Sequence, residues 1–371
     1  TYQRMKFKEE KSFFEHLGIA DSERVHSEFI SWLLSSECNV IGNAEKINFI
    51  ETLFGLAKTD CIIKTGTEID NIDIFIETNN SVLIIENKIK SSQHSNQLER
   101  YKEFVEAKYP IKKHHFIYLT LVKENSIYNG WIHVSYSEIL QELNKLKISE
   151  SNRHSCFIED YILYLTKLLS ALYEVISHPN DFAYVFKNGS LKKSEKLLLK
   201  FQNKKEEFIT KNQLETIFQK AFLTTILNND EIKELNGVLT DTRGTALIDF
   251  PLKRNISIGD DKLYSTFIQI QGDNIKFAFA IQEHYKNSKK EWISKIIEIF
   301  KSFNNEKTEG YKKINPPKSK AYVSISKKME KPYWILSTEE IISMIKLEIN
   351  LGHKLTTELM TKINNTMGNK L

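Results

Sequence analysis

A mixed α/β sheet flanked by helices is the architecture the sequence predicts for residues 1–150, on three observations. Apolar residues recur at helical spacing twice near the start. Two runs rich in β-branched residues then face each other across Asn79-Asn80. A near-continuous apolar run, of the kind found in a sheet covered on both faces, follows the next helix. Beyond residue 150 the character changes: 151–235 reads as a helical connector and 236–371 as an α+β region.

The first helix is Ser22 to Leu34, with Ser22 as N-cap and Val25, Phe29, Ile30, Leu33 and Leu34 on one arc. Ala44 to Ala57 is a second amphipathic stretch, and Cys61-Ile62-Ile63 opens β-like sequence. Ile69–Glu77 and Val82–Ile89 form a predicted hairpin about Asn79-Asn80. A helix from Ser95 to Lys108, stopped by Pro110, precedes the strand His115–Leu121. Trp131–Val134 is a short strand, and Ser135-Tyr136-Ser137-Glu138 is a capping box before a helix over Ile139–Leu146. Phe157–Ile176 is apolar nearly all round, which predicts a deeply packed helix. Lys192–Leu227 reads as further helix. Gly237–Lys327 is β-rich, interrupted by a helix over Lys289–Phe303 and closed by one over Thr338–Ile349.

With 371 residues, 41% hydrophobic and 27% charged, the chain has room for two ordinary globular domains. Its three cysteines, Cys38, Cys61 and Cys156, are far apart and form no C-x-x-C pair, which argues against a disulfide scaffold or a zinc cluster and fits a reducing compartment. Met5 to Lys11 is charged where a signal peptide would be apolar, and no apolar run approaches the roughly 20 residues that span a bilayer. A cytoplasmic location with no membrane partner is therefore expected. A net charge of +4 permits nucleic acid as a partner without demanding it.

The hairpin carries the chemistry. If Asn79-Asn80 is a two-residue turn, Asp73 opposes Glu86, with Cβ atoms about 4.5–5.5 Å apart on one face. Lys88, two residues on, shares that face, while Ile72, Ile74, Ile76, Leu83 and Ile85 form the apolar other face. Opposed like charges destabilise a sheet, so a compensating cation is expected. Hard oxygen ligands suit Mg²⁺ or Mn²⁺, with the Asn87 carbonyl available as a further ligand. Such an ion can polarise a phosphodiester and acidify a water, and Lys88 can position that water and steady the transition state. The bland alternative is a surface strand of alternating charge, against which the uniformly apolar opposite face argues.

Ile72-Asp73-Ile74 followed by Ile84-Ile85-Glu86-Asn87-Lys88 resembles the paired-strand motif of the PD-(D/E)XK nuclease superfamily, with Ile72 in place of the proline. Gln97-x-x-x-Tyr101 is similar to the Q-x-x-x-Y element of its RecB-like branch. Glu23-x-x-His26-Ser27-x-Phe29-x-x-Trp32-Leu33-Leu34, after Phe14-Glu15-His16-Leu17-Gly18-Ile19, resembles the opening of a bacterial subfamily. The resemblance spans about residues 10–145. It implies a restriction-endonuclease-like fold and a metal-dependent nuclease, of the sort found in phage defence, restriction or repair. It also implies a catalytic Asp73, Glu86 and Lys88, with Gln97 and Tyr101 contacting the substrate backbone.

On a helical wheel His26 falls within the apolar arc, Glu23 lies at its edge, and Glu28 lies about 200° from His26, facing solvent. By resemblance, Glu23 or His26 completes a metal site begun by Asp73 and Glu86; a hydrogen-bonded core histidine would look the same. Lys90 and the run Lys112-Lys113-His114-His115 are candidate phosphate contacts, or simply solvated charges.

DNA is favoured over RNA as substrate. Two other readings stay open: a nucleic-acid-binding module of the same fold without catalysis, and an effector acting on RNA under control of the region after residue 155. A homodimer or a defence-system partner subunit is compatible with the sequence. The C-terminal half offers no motif; Trp292, Tyr311, Tyr322 and Trp334 suit either a stacking surface or a β-rich core, the latter preferred.

Overall fold

A computed structural model describes residues 6–19, 21–56, 61–89, 97–123, 129–149, 152–189, 191–196, 198–240, 245–258, 262–282, 291–303, 310–311, 313–315 and 322–367. The chain divides into two compact units, Thr1–Thr224 and Thr225–Leu371. The span read as a helical connector therefore begins inside the first unit.

The first unit opens with helices α1 (Phe13–Leu17), α2 (Glu23–Leu34) and α3 (Asn43–Phe54). A five-stranded sheet follows in the order β1 (Ile62–Gly66), β2 (Ile74–Thr78), β3 (Ser81–Lys88), β4 (Lys113–Thr120) and β5 (Trp131–Ser135). The pairs β1–β2 and β2–β3 are antiparallel; β3–β4 and β4–β5 are parallel. A parallel neighbour cannot be reached by a tight turn, so α4 (Gln97–Lys108) makes the crossover from β3 to β4. Its Leu98, Tyr101 and Val105 pack on Phe75, Val82, Ile84, Phe116 and Trp131 from the sheet. β3 is buried on both faces, as its unbroken apolar run Val82–Ile85 requires.

The hairpin register is the expected one: Ile74 pairs with Ile85, Phe75 with Ile84, Ile76 with Leu83 and Glu77 with Val82. The strand predicted from Ile69 is shorter, however. Ile69 and Ile72 bridge across a tight turn in which the Ile72 amide donates to the Ile69 carbonyl (3.0 Å). Asp70 and Asn71 hold φ of +54° and +66° at its tip. Asp and Asn tolerate this left-handed region better than other residues with a Cβ, which makes the turn affordable where the sequence looks like strand.

Helix α5 (Tyr136–Leu143) starts earlier and ends earlier than expected, directly after Ser135, whose amide and hydroxyl both donate to Glu138 (2.8 and 2.7 Å). The long apolar helix is α6 (Ser155–Ser177), with Ile158, Tyr161, Tyr164, Leu165 and Leu168 fully buried. After α7 (Ala183–Asn188), the helix read over Lys192–Leu227 is broken into α8 (Lys193–Lys196), α9 (Lys204–Lys211) and α10 (Glu215–Leu227). Asn203 caps α9 by accepting from the Glu206 amide at 2.9 Å, and Gln213 at φ +56° ends it.

The second unit is a six-stranded antiparallel sheet in the order β10 (Lys313–Asn315), β11 (Tyr322–Lys328), β9 (Asn274–Ile281), β8 (Tyr264–Gln271), β7 (Leu247–Ile256) and β6 (Val238–Thr240). Helices α11 (Glu291–Lys301) and α12 (Thr338–Met367) pack against it. α12 runs well past Ile349. Gly352 does not stop it: a Cβ there would lie 2.8 Å from the side chains of Ile268 and Leu252, so the glycine permits close approach to the sheet. Trp292, Tyr311 and Trp334 are buried, which makes them core, while Tyr322 is half-buried. No helix among the described residues is long and apolar enough to cross a membrane.

Candidate active site

Asp73, Glu86 and Lys88 meet at the end of the hairpin away from Asn79-Asn80. Asp73 stands one residue before β2, outside the ladder, yet near the register position that faces Glu86. Its Oδ2 accepts the Asn87 amide at 2.7 Å, an N–H that β2 therefore leaves to a side chain. Lys88 Nζ lies 2.5 Å from Glu86 Oε1 and 4.0 Å from Asp73 Oδ2. Exposure grades across the site, from 0% for the Glu86 side chain through 12% for Lys88 to 22% for Asp73, so it opens outward from a buried acid.

The electrostatics follow from that burial. Removal from water pushes Glu86 up to about 7; the charge of Asp73 adds to the rise, and Lys88 opposes it. Burial likewise raises Asp73, against the pull of Lys88 and the Asn87 amide, with Glu23 and Glu68 adding to the rise. Burial alone would lower Lys88, but Glu86, then Asp73 and Glu23, outweigh it and hold the ammonium above its ordinary value. Lys88 is thus a cation at neutral pH. Neither carboxylate oxygen of Glu86 accepts a hydrogen bond of good geometry, an arrangement that native structures rarely leave without a purpose.

Residues 11–162 match the model of a family described as the PD-(D/E)XK nuclease superfamily. This segment is a PD-(D/E)XK nuclease superfamily domain. No curated protein and no solved structure matches the chain.

Of the other residues singled out in the sequence, the nuclease domain brings Glu23 to the site and places His26 elsewhere. Glu23 opens α2, accepts the Ile89 amide on Oε1 at 2.8 Å, and acts electrostatically on Asp73 and Lys88. His26 is fully buried, its ring packed by Tyr136, Tyr161 and Tyr164 and its Nδ1 2.9 Å from the Tyr161 hydroxyl. That is the setting of a hydrogen-bonded core histidine. Glu28 is exposed, as the wheel predicts. Tyr101 is buried under the sheet, and its hydroxyl donates to the Asn71 carbonyl in the turn before Asp73. Gln97 begins α4, its side chain outside the described residues, and Lys90 lies outside them altogether. Lys112 is paired with Glu77 at 2.6 Å near the start of β4, the far end of the sheet from Lys88.

Among the described residues, no group of three or more His, Cys, Asp or Glu side chains gathers closely enough to hold a metal ion. Asp73 and Glu86 are a pair. The sequence reading missed the Asn87 side chain, Ser27 and Tyr136, which link the site to two helices. An asparagine inside the otherwise apolar run Val82–Ile89 was the available signal for the first; nothing in sequence marks the other two.

Proposed function

We propose that residues 11–162 act as a divalent-metal-dependent nuclease whose working groups are Asp73, Glu86 and Lys88, with DNA the preferred substrate over RNA. The buried carboxylate of Glu86, paired with Lys88 and crowded by the second acid Asp73, is the observation that carries this reading. One or two carboxylates, completed by waters and substrate phosphate oxygens, are what Mg²⁺ or Mn²⁺ ordinarily takes, so a pair of acids fits such an ion without a third protein acid. When bound, it would supply a Lewis acid for the phosphodiester and lower the pKa of a water.

The protein's own groups do the rest. Asp73 is fixed by the Asn87 amide, which donates to its Oδ2. Glu86 would supply the second carboxylate that holds the ion. Lys88, kept charged, orients the attacking water and stabilises negative charge on the phosphorane-like transition state. Water adds to phosphorus and gives up a proton to solvent, the bond to the departing sugar oxygen breaks, and that oxygen leaves with a proton taken from solvent. Glu23 adds negative charge at the rim and favours the cation-loaded state. We further propose that the region after residue 150 governs the choice of substrate or partner, in a phage-defence, restriction or repair setting.

Incubation with linear, circular and single-stranded DNA and with RNA, in Mg²⁺, Mn²⁺ or EDTA, tests the proposal. Cleavage that requires metal and disappears in Asp73→Ala supports it; full cleavage in EDTA, or none on any substrate with either metal, overturns it.

A further inference from the structure

Between Glu86 and Lys88, the side chain of Asn87 points to the opposite face of β3 and is completely buried. Every polar group of its carboxamide is engaged. Nδ2 donates to the Glu23 carbonyl (3.0 Å) and to Ser27 Oγ (3.0 Å), both on α2. Oδ1 accepts from the Tyr136 hydroxyl (2.8 Å) at the start of α5, a phenol that burial keeps protonated and therefore able to donate. Its backbone amide meanwhile donates to Asp73. One residue thus touches the three segments that supply the site's four charges: the Asp73 turn, β3 with Glu86 and Lys88, and the first turn of α2 with Glu23.

Resting on the metal-dependent reading above, we infer that Asn87 is a positioning residue that sets the distance of the Glu23 charge from Asp73 and Lys88, and through it the site's affinity for a divalent ion. Glu23 is held at two points: its carbonyl by Asn87 and its carboxylate by the Ile89 amide. The second contact fixes only the end of the Glu23 side chain. The carboxamide fixes the backbone of Glu23 as well, and Ser27 Oγ, which donates to the same carbonyl (3.1 Å), buttresses it. A hydrophobic side chain at position 87 could fill the space but not fix this register, and it would take from the buried Tyr136 hydroxyl the acceptor it now uses.

The test is Mn²⁺ titration of the full chain, read by the electron paramagnetic resonance of the free ion, with thermal unfolding in EDTA recorded for each variant. Outer hydrogen bonds of this kind typically alter metal affinity by about 10–100-fold, so Asn87→Ala is expected to weaken Mn²⁺ binding at least tenfold; Ser27→Ala and Tyr136→Phe should weaken it less. The deciding measurement is the cycle with Glu23→Gln, which keeps an acceptor for the Ile89 amide and removes the charge. If Asn87 acts through that charge, its cost shrinks severalfold in the Glu23→Gln background. Equal costs in both backgrounds would mean that Asn87 only holds the fold together, and the inference fails. Ser27→Ala carries the same cycle if Asn87→Ala does not fold. Absence of Mn²⁺ binding by the wild-type protein would instead overturn the metal reading itself, a distinguishable result.

Discussion

Glu86 in the first unit and Glu348 in the second are both buried glutamates beside a lysine, with 0% and 4% exposure. Glu348 is satisfied on both oxygens: Lys327 sits 2.8 Å from Oε1, and the Tyr311 hydroxyl donates to Oε2 at 2.9 Å. Lys327 also lies 4.8 Å from the centre of the Tyr311 ring, which closes the group on itself. Glu86 has its lysine but no such second donor. It has another acid instead, and its proton affinity climbs to about 7. The comparison separates two uses of the same residue pair. Where a buried carboxylate collects donors it ties elements together; where it faces a second carboxylate it stores unfavourable charge that a ligand can relieve.

The largest expected difference is in catalysis. Asp73→Ala, Glu86→Ala and Lys88→Ala should each lower cleavage by about a thousandfold or more while retaining the far-ultraviolet circular dichroism of the wild type. Glu348→Gln should leave the chemical step alone. Loss of cleavage in Glu348→Gln at unchanged stability would break the distinction.

Stability should show the opposite ranking. Glu348→Ala removes the ion pair to Lys327 and the acceptor of the Tyr311 hydroxyl and should cost roughly 3–5 kcal/mol, measured by denaturant unfolding. Glu86→Gln should stabilise the metal-free protein at pH 8 by something on the order of 1–3 kcal/mol. The sign follows from the raised proton affinity of Glu86. The folded state binds the proton more tightly than the unfolded state, so metal-free stability is complete below pH 4.5 and declines as pH rises through about 7. In Glu86→Gln that decline should be reduced. Added Mg²⁺ should raise the midpoint of thermal unfolding of the wild type at pH 8, and raise it less at pH 6, where protons compete.

The smallest effect concerns the second unit. A chain ending at residue 224 keeps the complete nuclease domain, and its binding of nucleic acid is expected to weaken on the order of tenfold, ~1.4 kcal/mol, in a filter-binding titration. Unchanged binding and cleavage would remove any role for residues 225–371 in substrate choice.

Much of the site was legible because its determinants are periodic. β-Branched alternation and a two-residue turn set the register of Ile74 against Ile85, and register sets which side chains share a face. The Ile69–Ile72 turn was not legible, since isoleucines around Asp70-Asn71 satisfy a strand pattern and only the left-handed backbone reveals the turn. His26 shows the limit of a helical wheel: the wheel finds the inward arc, but the Tyr136, Tyr161 and Tyr164 rings that fill it come from distant sequence. The full length of α12 was not legible, since the close packing of Gly352 against Ile268 and Leu252 is invisible along one chain segment.

Along β3, consecutive residues answer to different masters: Glu86 and Lys88 serve the open side, Asn87 the helices behind. A saturation screen that scores cutting at low and at high Mg²⁺ would therefore alternate with a period of two. Substitutions at 86 and 88 should yield protein that is inert at either concentration, whereas those at 87 should yield protein whose cutting returns as the ion concentration rises. If the acids at this site were lost, the asparagine between them would lose its reason to stay.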